Sequence, residues 1–151
     1  MTLLLVAACR LMVVAATTVG AAACTTRSLP PVTRVELRHG WARIADSGAT
    51  SGAYLEIANN DTVPITLVGV TSIDAGAASM HETMQQNGMA HMMPRPALRV
   101  SAGDVIKMEP GGVHVMLIDV KRRLTVGDSV RLTLRLSDST DFNVVIPVVT
   151  P

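Results

Sequence analysis

At 151 residues the chain is long enough for one domain with a buried core. Thirteen Lys and Arg meet twelve Asp and Glu, a formal net charge of +1, and the charges are dispersed. That balance excludes a basic stripe for nucleic acid and a polybasic patch for anionic lipid. Lys121-Arg122-Arg123 is the one basic run and reads as a solvated turn between strands.

Residues 1–23 are nearly all apolar or small, with Arg10 the only charge, and they end in Ala21-Ala22-Ala23 before Cys24. This reads as an export signal with a lipoprotein-type cleavage site, Cys24 becoming the lipidated N-terminus. Ala21 stands where Leu is usual, and no basic stretch precedes the first apolar run. Three accounts of the segment compete. Met12 is the true start, the start lies upstream, or the segment stays uncleaved as an anchor, for which about 20 apolar residues suffice. Arg10 in mid-span would cost roughly 2.5–3.5 kcal/mol, which favours a shorter signal from Leu11 to Ala23. Residues 24–33 form a polar, proline-containing tether, and 34–151 form the exported domain, periplasmic or at the cell surface.

Both cysteines, Cys9 and Cys24, lie in or at the end of the leader. The domain therefore has no disulfide, no CxxC and no thiolate for metal. Outside the cytoplasm free thiols oxidise, whereas imidazole and thioether ligands form no disulfides. The lack of a cysteine also excludes a blue-copper electron-transfer site.

From Val32 onward the pattern is all-β. Val35 to Arg38 alternates, and Trp41 to Ile44 follows after Gly40. Gly52 to Ala58 is a strand ending in the Asn59-Asn60-Asp61 turn, and Ile65 to Val70 is another. A Gly/Ala/Ser-rich stretch then leads into Met80-His81 and a Met-rich loop. Leu98 to Val100 and Val105 to Met108 precede the Glu109-Pro110-Gly111-Gly112 turn, in which Pro presets one dihedral and Gly supplies the positive one. Val113 to Ile118, Val130 to Leu136 and Phe142 to Ile146 complete the set. Short strands at regular spacing, with turn chemistry between them and no sustained 3.6-residue period, predict a Greek-key β-sandwich.

Seven of the nine methionines and three of the four histidines fall between Met80 and Met116. With one Trp, one Tyr and one Phe in the chain, packing of sulfur on aromatic rings explains little of this. Within the window His81, Met92, His114 and Met116 have the spacing H-x10-M-x21-H-x-M. Two imidazoles and two neutral thioethers form a soft set that suits cuprous copper, whereas calcium and magnesium need oxygens and zinc prefers anionic or all-nitrogen ligation. His114 and Met116 are two apart on a strand, so both project from one face. His81 and Met92 flank ten residues containing Asn87-Gly88, which can fold back as a hairpin.

The same spacing is that of the PCu(A)C-type periplasmic copper chaperones, which the chain resembles. Trp41-Ala42-Arg43, Gly52-Ala53-Tyr54-Leu55, Met108 to Leu117 and Leu124 to Leu134 add to the likeness, which covers Arg38 to Val149. The resemblance implies a cupredoxin-like β-sandwich that binds one Cu(I). It further implies delivery toward the dinuclear copper site of a cytochrome c oxidase subunit, alongside a Sco-type thioredoxin-fold protein. Some members of that family carry a His- and Met-rich C-terminal tail that holds a second copper; the sequence up to Pro151 shows no such tail, so a second Cu(II) site is not expected.

Around the four donors, His91 and Met93 neighbour Met92 and could replace it, as could Met84. Met84, Met80 and Met89 either form a weaker capture surface or shield the site from water. Glu82 either orients His81 or is solvated. Trp41 reads as core, though a Trp near a Cu(I) site could add a soft face, and His39 reads as a surface or turn histidine. The expected task is non-enzymatic: Cu(I) is held reduced and passed on by ligand exchange. Passive copper buffering or resistance at the surface uses the same ligands. A lipid anchor at Cys24 is the only membrane contact expected.

Overall fold

Alternating burial organises ten strands, in chain order β1 (Val35–Arg43), β2 (Ser51–Asn59), β3 (Ile65–Ser72), β4 (Ala75–Gln86), β5 (Met89–Pro94), β6 (Leu98–Val100), β7 (Val105–Lys107), β8 (Val113–Val120), β9 (Ser129–Leu136) and β10 (Asp141–Val149). The structure is a computed structural model, which describes residues 34–86 and 88–150. The leader, the tether and Cys24 lie outside the described residues. β9 shows the rule most cleanly: Val130, Leu132, Leu134 and Leu136 are buried, while Arg131 and Arg135 are exposed between them. A period of two on a pleated strand sends one set to the core and the other to water.

One half of the molecule runs β5-β4-β8-β2-β1, with β7 also on β2, and the other runs β10-β9-β3-β6. A short parallel pairing, Ala42 with Val148 and Arg43 with Val149, joins them. Inward side chains of both halves form a single cluster, Leu55, Val115 and Leu117 from the first and Leu132, Leu134 and Ile146 from the second. The molecule is the expected all-β, cupredoxin-like Greek-key sandwich. Burying each such side chain contributes roughly 1.5–3 kcal/mol.

Two features depart from the sequence-based expectation. The segment between His81 and Met92 folds back as a hairpin, as expected, but from Ala75 to Pro94 it is strand where a loop is expected, with β4 continuing for 12 residues and β5 pairing back on it. Small residues at Ala75, Ala77 and Ala78 carry little β-propensity of their own, but they pair along Val120, Ile118 and Leu117 of β8. The second departure is in β1. Arg38 pairs with Glu56 but Trp41 pairs with Tyr54, so one extra residue is accommodated at His39-Gly40, with His39 at φ 50°. The bulge reverses the faces: Leu37 points toward the core before it and Ala42 after it. Trp41 is thereby turned away from the core and onto the outer face with Tyr54. His39 stays at the surface, its Nδ1 3.0 Å from Glu56 Oε2.

Lys121-Arg122-Arg123 lies in the turn between β8 and β9, as expected, and its arginines pair with Asp128 at 3.1 Å and Asp46 at 2.8 Å. Such exposed pairs contribute little. Asp74, just before β4, is different because it is buried, at 6% exposure. Its carboxylate accepts from the Arg131 backbone N–H at 2.9 Å and from the guanidinium Nη2 at 3.1 Å, and its carbonyl accepts from the Lys121 N–H at 3.0 Å. It thus ties β9 of one sheet to the end of β8 in the other. The Arg131 hydrogen bond holds the Asp74 carboxyl below its ordinary value.

A depressed carboxyl stabilises the fold above the unfolded-state pKa and loses that effect as pH falls through the folded value. Asp74→Ala should therefore lower unfolding free energy by about 2 kcal/mol at pH 7. In urea melts the gap between the variant and the parent should narrow in acid; a gap of equal size at pH 7 and pH 3 would contradict the assignment.

Candidate metal centre

Strand register decides which donors can meet. In the β4–β8 ladder His81 is directly opposite His114, and Ser79 is opposite Met116. In the β4–β5 ladder His81 is opposite Pro94 and Thr83 is opposite Met92, so Met92 lies on the His81 face, one diagonal step away. All four candidate donors therefore stand on the outer face of one sheet. Val115, between His114 and Met116, is fully buried on the other side.

The two rings approach to 6.3 Å between centroids at an interplanar angle of 28°. One ion bonded to each ring at about 2 Å can span that gap. His114 Nδ1 stands 3.0 Å from the Gly112 carbonyl. A carbonyl only accepts, so Nδ1 carries the proton, and the Nε2 lone pair is left for a metal. The same Gly112 carbonyl accepts from Thr83 N–H at 3.1 Å, linking β4 to the Pro-Gly-Gly turn that positions His114. His81 is held more loosely, with Ser79 Oγ at 3.5 Å from its Nδ1.

Exposure grades the four donors. His114 is buried at 6%, His81 and Met116 are half-buried, and Met92 is 58% exposed. Met92, His114 and Met116 line an open cleft of about 470 Å³ together with Tyr54, Gly52 and Arg43. A hollow of about 550 Å³ elsewhere, between Ile44 and Leu124, holds no imidazole or thioether.

Other residues named from sequence sit elsewhere. Met84, His91 and Met93 share the opposite face of the hairpin, so exchanging one of them for Met92 needs a one-residue register slip and not a small loop shift. Met80 is buried at 5% opposite Val115 and Met108 at 3%, so both are core residues and neither shields the outer face. Glu82 also lies on the face away from His81 and pairs with Arg95 at 3.2 Å, so it does not orient the imidazole.

The structure adds an aromatic row that the sequence reading left out. The Trp41 and Tyr54 rings stand 4.3 Å apart, and Tyr54 stands 6.2 Å from His114. The row continues to His81, 6.3 Å from His114 between ring centroids, and lies beside the donors on the same sheet face. Trp41 is half-buried in it, not a core residue. Gly52, opposite Met116, makes room for Tyr54, because a Cβ there would lie 2.6 Å from the phenol oxygen. The signal was present in Gly52-x-Tyr54, two residues of one face, but it becomes readable only once β1 and its bulge are placed beside β2.

Comparison with known proteins finds relatives of the chain both in sequence and in structure. The family model described as "Putative lipoprotein LpqE-like" matches residues 35–148. The chain is 34% identical over 115 residues to "Putative lipoprotein Lxx21020" of Leifsonia xyli subsp. xyli (strain CTCB07), covering 76% of this chain and 69% of that one. It is 26% identical over 117 residues to "Uncharacterized protein RP573" of Rickettsia prowazekii (strain Madrid E), covering 74% and 65%. Among solved structures it is similar to CuI-DR1885 from Deinococcus radiodurans, at 30% identity and TM-score 0.57, covering 83% of this chain and 82% of that one. The copper-bound PCuAC domain from PmoF2 superposes at TM-score 0.65, covering 79% and 95%; at 23% identity it shows the fold alone.

Gly52→Ala should push Tyr54 off its place over the strand, at a cost of about 1–3 kcal/mol, and shift the His114 ring resonances. Unchanged His114 chemical shifts in a folded Gly52→Ala variant would contradict the role given to Gly52.

Proposed function

The chain belongs to the LpqE-like family, and from that premise together with its donor set we propose that it is an extracytoplasmic Cu(I) metallochaperone. The observation that carries this reading is the convergence of His81, Met92, His114 and Met116 on one sheet face. Two imidazoles and two thioethers add no negative charge, and the thioethers select a soft ion over hard cations. Copper is the cargo here. CuI-DR1885, among the structural relatives, supports the same ion.

The graded exposure of the donors suits transfer. His114, buried and fixed by Gly112, anchors the ion, while Met92, mostly in water, exchanges first with an incoming ligand. Weak neutral donors can then be replaced one at a time, with no thiolate to be oxidised on the way. Lipid attachment at Cys24 after removal of residues 1–23 would hold the domain at the outer surface of the membrane, and the lipoprotein names of its relatives support that placement. Delivery runs toward the dinuclear copper site of cytochrome c oxidase, with a Sco-type partner; likeness to the PCu(A)C chaperones supports this step.

Anaerobic competition against a strong Cu(I) chelator should show one tight site. His114→Ala with Met116→Ala should weaken it by more than about 100-fold, beyond what losing a supporting partner costs. Unchanged affinity in that variant would remove the site assignment. Deleting the gene should lower oxidase activity at limiting copper, with rescue by added copper. Normal oxidase together with heightened copper sensitivity would replace delivery by surface buffering.

A further inference from the structure

The β4–β5 hairpin carries donors on both of its faces. Met84 is directly opposite His91, and Met93 follows two residues later on the same strand, so all three project from the face away from His81 and Met92. His91-Met92-Met93 repeats the His-x-Met spacing of His114-Val115-Met116. Met84 opposite His91 repeats the opposition of His81 and His114, with a thioether in place of one imidazole. Together with Gln85 and Gln86, the three line a hollow of about 520 Å³.

Core packing does not account for these side chains. Met84 and Met93 are each 53% exposed and His91 is exposed as well. Held in water, a thioether gives up the burial that makes Met useful in a core. Among the described residues no hydrogen bond engages either His91 ring nitrogen, so the imidazole is free to bind. Glu82 shares this face, but its carboxylate is taken up by Arg95. What remains is a neutral set of two thioethers and one imidazole, which suits a soft monovalent ion and repels none by charge.

We propose that Met84, His91 and Met93 form a second soft-metal site, which takes Cu(I), or Ag(I) in its place, more weakly than the four-donor face. It has three donors where the other face has four. All three sit on an exposed two-stranded ribbon, so ordering long Met side chains opposes binding more strongly. The site is suited to capturing an ion in fast exchange at the outer tip of the hairpin. The proposal stands apart from the four-donor reading, since the two sets share no residue.

Silver titration into the chain with 13C-labelled methionine methyl groups tests it. The first equivalent is expected to move the Met92 and Met116 methyls, and the second to move those of Met84 and Met93 along with the His91 ring. Met84→Leu/His91→Ala/Met93→Leu, all at exposed positions, should weaken the second step more than tenfold and leave the first unchanged. His114→Ala/Met116→Leu should abolish the first step and keep the second; loss of the first assignment alone would count against the four-donor reading only. Methyls of Met84 and Met93 that stay unmoved through two equivalents, or that shift together with Met92 in the first, would overturn the second site.

Discussion

His81 stands opposite His114 because β4 pairs with β8 in one particular register, and the chemistry of the outer face depends on that alignment. The core side of the same strands sets it. Met80 meets Val115, Ala78 meets Leu117 and Ala75 meets Val120, and all but the half-buried Ala78 are buried. A slip of one residue would lift Met80 into water and drive His81 into the core. Exposing one such apolar side chain costs roughly 1.5–3 kcal/mol, and burying an imidazole without its partners costs more of the same order. Hydrophobic packing thus aligns the donors, although no donor except His114 is itself buried.

A rigid half and a yielding half follow from that arrangement. β8 and the lower part of β4 belong to the sandwich, where the core, the Gly112 carbonyl and the aromatic row of Trp41 and Tyr54 hold His114 in place. Beyond Thr83 the hairpin leaves the core, and every side chain of β5 is exposed. Two strands without a buried face are only marginally stable alone, so the hairpin can move relative to its root. A site assembled from a fixed pair on β8, a root residue on β4 and a movable residue on β5 combines retention with release.

Legibility in the sequence varied with how far each feature depends on distant pairing. Val130 to Leu136 and Val113 to Ile118 were readable because alternation is a local signal. The four-donor spacing was readable because it lies on the chain itself, and its two-residue step on β8 already implied a shared face. Trp41 was misplaced because a bulge at His39-Gly40 reverses the faces, and only pairing with β2 reveals that. The Met-rich segment read as a loop because Ala, Ser and Gln have weak strand preference and neither face beyond Met80 is uniformly apolar. Its true form is set by β8. For the same reason Met84, His91 and Met93 looked interchangeable with Met92 until the register put them behind the ribbon. Asp74 gave no local sign of the bond it makes to Arg131, 57 residues away.

The central claim is that one soft ion sits among two imidazoles and two thioethers on a single sheet face. X-ray absorption at the copper edge, on the chain loaded anaerobically with one equivalent of Cu(I), tests this most directly. The account predicts a cuprous edge and a coordination shell containing both nitrogen and sulfur, in equal numbers. A shell of nitrogen and oxygen alone would contradict it.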